Sequence, residues 1–112
     1  MGSGMTPPLQ WDWAPLPVVL QDATTKDVLM VQYMMAESLE RSVEERSTWL
    51  WSRSRKRHWL QGREGGGYDI VDLRHNCMAD SLLALVDRDD RLVCHLGNAS
   101  CFSQPILGRS RP

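Results

Sequence analysis

A chain of 112 residues, 42% hydrophobic and 24% charged, has room for one core and therefore one domain. Its formal net charge of −1 gives no electrostatic reason to bind nucleic acid or an anionic membrane surface. No apolar run approaches membrane-spanning length, and the first residues lack a basic stretch followed by an apolar one, so neither a spanning helix nor a signal peptide is expected.

Residues 1–15 are read as a lead-in: Met1-Gly2-Ser3-Gly4 resembles an expression scar ahead of Met5, and Pro7, Pro8 and Pro15 interrupt regular structure. Trp11 and Trp13 in this lead-in are expected to anchor it on the domain, which runs over residues 16–104. Leu16 to Leu20 and Val28 to Tyr33 read as strands joined through the polar turn Asp22 to Asp27, a hairpin. The period then changes. Leu39 and Val43 lie four apart with Met34 and Met35 a turn earlier, so Met34 to Arg46 is predicted as an amphipathic helix with that stripe inward.

Thr48 to Trp51 returns to strand composition and enters a run in which Arg53, Arg55, Lys56, Arg57 and His58 are basic. On an extended segment Ser52 and Ser54 would share one face and Arg53 and Arg55 the other. Guanidinium forks suit phosphate oxygens, and hydroxyls add hydrogen bonds. The same run reads equally as a charged edge strand that discourages aggregation. Gly62 to Gly67 is a loop, and Tyr68 to Arg74 alternates as a half-buried strand with Ile70 opposite Val71 and Leu73. Ser81 to Val86 reads as a central strand, turning through Asp87 to Asp90 and returning to Cys94, which would bring Cys77 and Cys94 to one end of adjacent strands. Residues 105–112 have no period and are expected to fray. The sum, about six strands and one main helix, is a small mostly-β α+β domain.

Three cysteines remain, Cys77, Cys94 and Cys101, and the last two bracket a short loop that also carries His95. With no signal peptide expected, the protein is read as cytoplasmic, and an odd cysteine count argues against a disulfide framework. Three thiolates are the number a catalytic zinc takes when a fourth position stays open for water. They read equally as ordinary buried cysteines.

Three motifs break that tie. Cys94-His95-Leu96-Gly97-Asn98-Ala99-Ser100-Cys101-Phe102 is similar to the Cys-His-Thr-Gly-x-x-Ser-Cys-Phe signature of the phosphoribosyl-AMP cyclohydrolases of histidine biosynthesis. Ser52-Arg53-Ser54-Arg55 followed by Trp59 and Gly62 resembles that family's Ser-Arg-Ser-Arg…Trp-x-x-Gly segment. Arg74 to Leu83 stands where the family has Arg-x-Asp-Cys-Asp-Gly-Asp-Ala-Leu-Leu. The resemblance spans Leu16 to Phe102. It implies an intertwined homodimer with zinc at the interface, held by Cys77 of one chain and Cys94 and Cys101 of the other. It implies hydrolytic opening of an adenine ring between N1 and C6, with His95 moving a proton and Asp80 beside it. Ser52, Arg53, Ser54, Arg55, Trp59, Gly62, Glu64 and Arg74 would bind the phosphorylated nucleotide.

The departures are as specific. The family's Asp-Cys-Asp-x-Asp cluster supplies carboxylates for a magnesium ion, and here only Asp80 remains, with Asn76 and Met78 at the other two positions. A hard cation gains little from an amide and nothing from a thioether, so the magnesium site is expected to be weakened or lost. The loop Gly62-Arg63-Glu64-Gly65-Gly66-Gly67 lacks the family's hydroxyls, and Leu96 replaces a Thr. Changes at the substrate positions beside intact thiols fit either the family's own substrate or a changed heterocycle. A non-catalytic zinc-binding dimeric partner is the alternative from another class.

Overall fold

The computed structural model describes residues 8–61, 67–87 and 100–108. Every second residue of β1 (Leu16–Asp22) is buried, with Leu16, Val18 and Leu20 each at most 1% exposed, and this period of two makes the segment a strand. Asp22 then turns the chain: its Oδ1 accepts the N–H groups of Thr24 and Thr25 at 2.8 and 3.1 Å, and Lys26 takes a left-handed φ of 69°. The antiparallel partner β2 (Val28–Met34) follows, then helix α1 (Ala36–Glu45) and a hairpin of β3 (Trp49–Ser52) and β4 (Arg57–Leu60). A second pair, β5 (Asp69–His75) and β6 (Leu82–Asp87), completes six strands and one α-helix among the described residues, the predicted α+β content.

β6 inserts beside β1 in parallel, with Val18 opposite Leu82 and Asp22 opposite Val86, and pairs antiparallel with β5 on its other side. The four-stranded order is therefore β2-β1-β6-β5, with β1 and β6 central as their composition predicted for β6. Val18, Leu20, Leu29, Met34, Leu50, Tyr68, Ala84 and Val86 form the fully buried centre, and Trp11, Leu39, Trp59, Ile70 and Leu73 pack against it. Each large apolar side chain buried this way contributes about 1.5–3 kcal/mol before entropy is counted. No described helix is long and apolar enough to cross a membrane.

Four expectations need correction. First, α1 buries Ser38 and Ser42 rather than a Leu39–Val43 stripe, and Val43 is exposed. The Ser42 hydroxyl donates to Trp49 O and accepts Trp49 N–H, both at 3.0 Å, and Ser38 Oγ accepts Met35 N–H at 3.1 Å. The Ser42 hydroxyl thus ties the helix to β3 while Ser38 caps its start, and only Leu39 of the predicted pair joins the core.

Second, Ile70 and Leu73 share the core side of β5 while Val71 is exposed, because a bulge between Ile70 and Asp72 inserts one unpaired residue and resets the alternation. Third, Trp11 anchors the lead-in, whereas Trp13 remains 60% exposed. The main-chain tie is Gln10 N–H to Ala79 O at 2.9 Å.

Fourth, Arg53 to Lys56 form the tight turn of the β3–β4 hairpin rather than an extended strand. Ser52 caps that turn: its carbonyl accepts Lys56 N–H at 2.8 Å, its hydroxyl accepts Arg55 N–H at 3.1 Å, and Lys56 sits at φ 53°. Beyond the sheet, Ser100 Oγ donates to Val28 O at 2.6 Å and Cys101 N–H to Leu29 O at 2.8 Å. Ile106 and Leu107 are fully exposed.

Candidate active site

The hairpin turn decides which basic side chains can act together. In the β3–β4 ladder Leu50 faces Trp59 and Ser52 faces Arg57, so these four residues point to one side. Leu50 on that side is fully buried and Trp59 partly so, while Arg57 at the open end of the ladder is exposed. Between this hairpin and β2 lies a cleft of about 950 Å³. Its β2 wall is Val31, Gln32 and Tyr33; its hairpin wall is Trp51, Ser52, Arg53, Ser54, Arg55, Arg57 and Trp59.

Three guanidinium groups and no carboxylate line this cleft among the described residues. Arg53 is held over the Tyr33 ring at 3.8 Å from its centroid, which ties the turn to β2 and fixes the guanidinium plane. Trp51, also in the cleft wall, packs edge-on against its cross-strand partner His58 at 5.0 Å between ring centroids. Uncompensated positive charge beside indole and phenol rings suits a ligand that carries both anionic groups and a flat heterocycle. Of the residues assigned to the nucleotide from sequence, the cleft gathers Ser52, Arg53, Ser54, Arg55 and Trp59. It adds Arg57, Tyr33 and Gln32, which the sequence reading missed. The signal for Arg57 is its two-residue spacing from Trp59, legible once both belong to a strand.

The other predicted residues lie elsewhere. Arg74 is on β5, the sheet edge opposite β2, where its guanidinium pairs with Asp72 at 2.7 Å. Asp80 and Cys77 belong to the loop between β5 and β6, with Cys77 and Met78 exposed at its tip. Asn76 organises that loop. Its Oδ1 accepts the N–H groups of Asp80 and Ser81 at 3.0 and 3.1 Å, and its Nδ2 donates to Asp80 Oδ1 at 2.6 Å. Ala79, at φ 59°, closes the turn by donating its N–H to Asn76 O at 3.0 Å.

Cys101 is also exposed, but it lies at the other end of the sheet. Cys77 precedes Leu82, whose partner Val18 stands near the start of β1, whereas Cys101 is bonded to Leu29, beside the Leu20–Gln21 end of β1. Two strand steps of about 4.8 Å also separate β6 from β2, so the two sulfurs are more than roughly 10 Å apart. No three His, Cys, Asp or Glu side chains converge on a common point among the described residues. Cys94, His95, Gly62, Glu64 and the turn through Asp90 lie outside the described residues.

The family model for phosphoribosyl-AMP cyclohydrolase matches residues 30–103, a span that includes the cleft, the Cys77 loop and Cys101. The chain belongs to the phosphoribosyl-AMP cyclohydrolase family. It is 45% identical to the phosphoribosyl-AMP cyclohydrolase of Lacticaseibacillus paracasei over 84% of this chain and 87% of that protein. It is 44% identical to the enzyme of that name from Lactiplantibacillus plantarum, over 81% of this chain and 84% of that protein. It is also 41% identical to the histidine biosynthesis bifunctional protein HisIE of Halalkalibacterium halodurans, over 84% of this chain but only 44% of that protein. The chain thus spans less than half of that bifunctional relative.

Proposed function

We propose that this cyclohydrolase-family chain hydrolyses phosphoribosyl-AMP, breaking the ring bond between N1 and C6 of the adenine so that C6 becomes a carboxamide carbon. The observation that carries the reading is the cleft between β2 and the β3–β4 hairpin, where Arg53, Arg55 and Arg57 face no carboxylate among the described residues. A substrate with a purine and two phosphoryl groups matches that combination of charge and aromatic wall. Ser52 and Ser54 stand beside the arginines with hydroxyls that can donate to phosphate oxygens, and Trp59 supplies an apolar wall for the ring. Arg53, immobilised on Tyr33, orients its phosphate contact in advance.

Cys77, Cys94 and Cys101 are the residues that would hold zinc. Thiolates are its preferred soft donors, and two of the three are exposed for it. When bound, the ion lowers the pKa of a coordinated water so that hydroxide is present at neutral pH. Zinc–sulfur bonds of about 2.3 Å require sulfurs within roughly 4 Å of each other. The separation of Cys77 from Cys101 within one chain therefore supports a site completed by a second copy. In this reading His95 carries the proton from the attacking water to the departing ring nitrogen, as an imidazole titrating near neutrality can. Asp80, already bonded to Asn76 and Ser81, holds the loop that presents Cys77.

A magnesium site does not fit. Asn76 has both ends of its amide engaged within the loop, Met78 offers only a thioether, and of these three positions only Asp80 carries a carboxylate. The test is turnover of phosphoribosyl-AMP by zinc-loaded protein, followed by ultraviolet absorbance with and without magnesium. Turnover is expected in both conditions. A zinc-loaded dimer that leaves phosphoribosyl-AMP intact overturns the assignment and favours a changed heterocycle or a non-catalytic role.

A further inference from the structure

We infer that Asn76 is a positioning residue that holds the Cys77 loop closed by hydrogen bonds alone, so that the thiol is presented without help from a divalent cation. The inference rests on Cys77 being a zinc ligand, as proposed above, but its geometry stands independently.

Five contacts define the clip. Asn76 Oδ1 accepts the N–H groups of both Asp80 and Ser81, Asn76 Nδ2 donates to Asp80 Oδ1 at 2.6 Å, and Ser81 Oγ donates to the same oxygen at 3.3 Å. Asn76 N–H donates to Ser81 O at 3.0 Å across the loop base. Gln10 N–H fixes the apex from outside through Ala79 O. The Asp80 oxygen nearest Asn76 thus receives an amide donor and a hydroxyl donor, the pairing a carboxylate needs when no cation is present.

A carboxylate at position 76 could still accept the two main-chain N–H groups, because they need only an oxygen. It could not donate to Asp80. Two carboxylate oxygens would then stand at the 2.6 Å now spanned by the amide bond, and like charges at that separation require a proton or a metal ion between them. Asn76 therefore does in this chain what a bridging cation would do for an Asp–Asp pair. Met78, exposed at the tip and carrying no hard donor, is consistent with a loop that makes no use of such an ion.

The test compares zinc affinity, by competition with a chromophoric chelator, for the wild-type protein, Asn76→Asp and Asn76→Ala with and without magnesium. Wild-type affinity should be indifferent to magnesium. Asn76→Asp should lose about 10- to 100-fold without magnesium, the usual effect of removing a partner that orients a metal ligand, and recover when magnesium is added. Asn76→Ala should lose affinity without recovery, which separates a bridging role from a general loosening of the loop. Equal enhancement of wild type and Asn76→Asp by magnesium, or wild-type affinity in Asn76→Asp without it, overturns the inference.

Amide hydrogen exchange on the wild-type protein decides the matter even where a variant does not fold. The N–H groups of Asp80 and Ser81 should be protected, and their protection unchanged by magnesium or by its chelation. Magnesium-dependent protection would refute the clip. That measurement needs no zinc, so a failure of the wild-type chain to bind zinc would remove the ligand role of Cys77 while the exchange result still judges Asn76.

Discussion

Thr48→Val is the substitution whose consequence can be worked most directly. Thr48 is fully buried, its hydroxyl donates to Gln61 O at 2.7 Å and accepts Tyr68 N–H at 3.0 Å. One hydroxyl thus ties Gln61 to Tyr68 from the buried side. Valine keeps the shape and deletes donor and acceptor together. Tyr68 N–H retains a 3.1 Å bond to Gln61 O, so the loss is smaller than two complete bonds. About 2 kcal/mol is expected for a buried pair left partly satisfied. At roughly 4–8 °C per kcal/mol for a domain of this size, the melting temperature should fall by about 10 °C. The assay is thermal and urea unfolding of the zinc-loaded protein, with steady-state kinetics below the transition, where KM should rise and zinc content stay constant. Stability within about 0.5 kcal/mol of wild type would refute the argument that this hydroxyl ties Gln61 to Tyr68.

Gly67→Ala would bring a Cβ within 2.8 Å of Thr48 Oγ1 and 2.9 Å of Thr48 N, so destabilisation of about 1–3 kcal/mol is expected by urea unfolding. Its effect should combine non-additively with Thr48→Val, since both act on one contact. Arg57→Gln removes one of the three guanidinium groups that line the cleft while keeping a polar side chain. KM for phosphoribosyl-AMP should rise by roughly 10- to 100-fold, the worth of a charged hydrogen bond, and an unchanged KM would take Arg57 out of the binding site. Cys101→Ser should release most of the zinc and shift the protein toward monomer in sedimentation. Full zinc occupancy in that variant would remove Cys101 from the ligand set.

The sequence made β1 and β6 legible because their period-two burial is local, and β2 through its apolar, β-branched composition. What it could not reveal depends on partners. The bulge that turns Val71 outward exists only in the pairing of β5 with β6, and no feature of residues 69–75 alone announces it. The inner face of α1 was misread because Ser38 and Ser42 look solvated until Trp49 supplies the main-chain groups that satisfy Ser42. In the site, the residue types of the basic run suggested phosphate, but which arginines line the cleft follows from the turn at Arg53 to Lys56 and the ladder it sets. Likewise, the distance from Cys77 to Cys101 is a property of the parallel β1–β6 pairing, which joins segments more than sixty positions apart.

That distance has a genetic consequence. If each zinc takes Cys77 from one chain and Cys101 from another, a chain with Cys77→Ser and a chain with Cys101→Ser are each defective as homodimers but complementary when mixed. The heterodimer would contain one site with both lesions and one with neither. Two inactive proteins, unfolded together and refolded, should therefore regain zinc and turnover that neither recovers alone. A cell carrying both defective alleles would grow where each single mutant starves. The position of two thiols on one sheet would then be visible as complementation between alleles of a single gene.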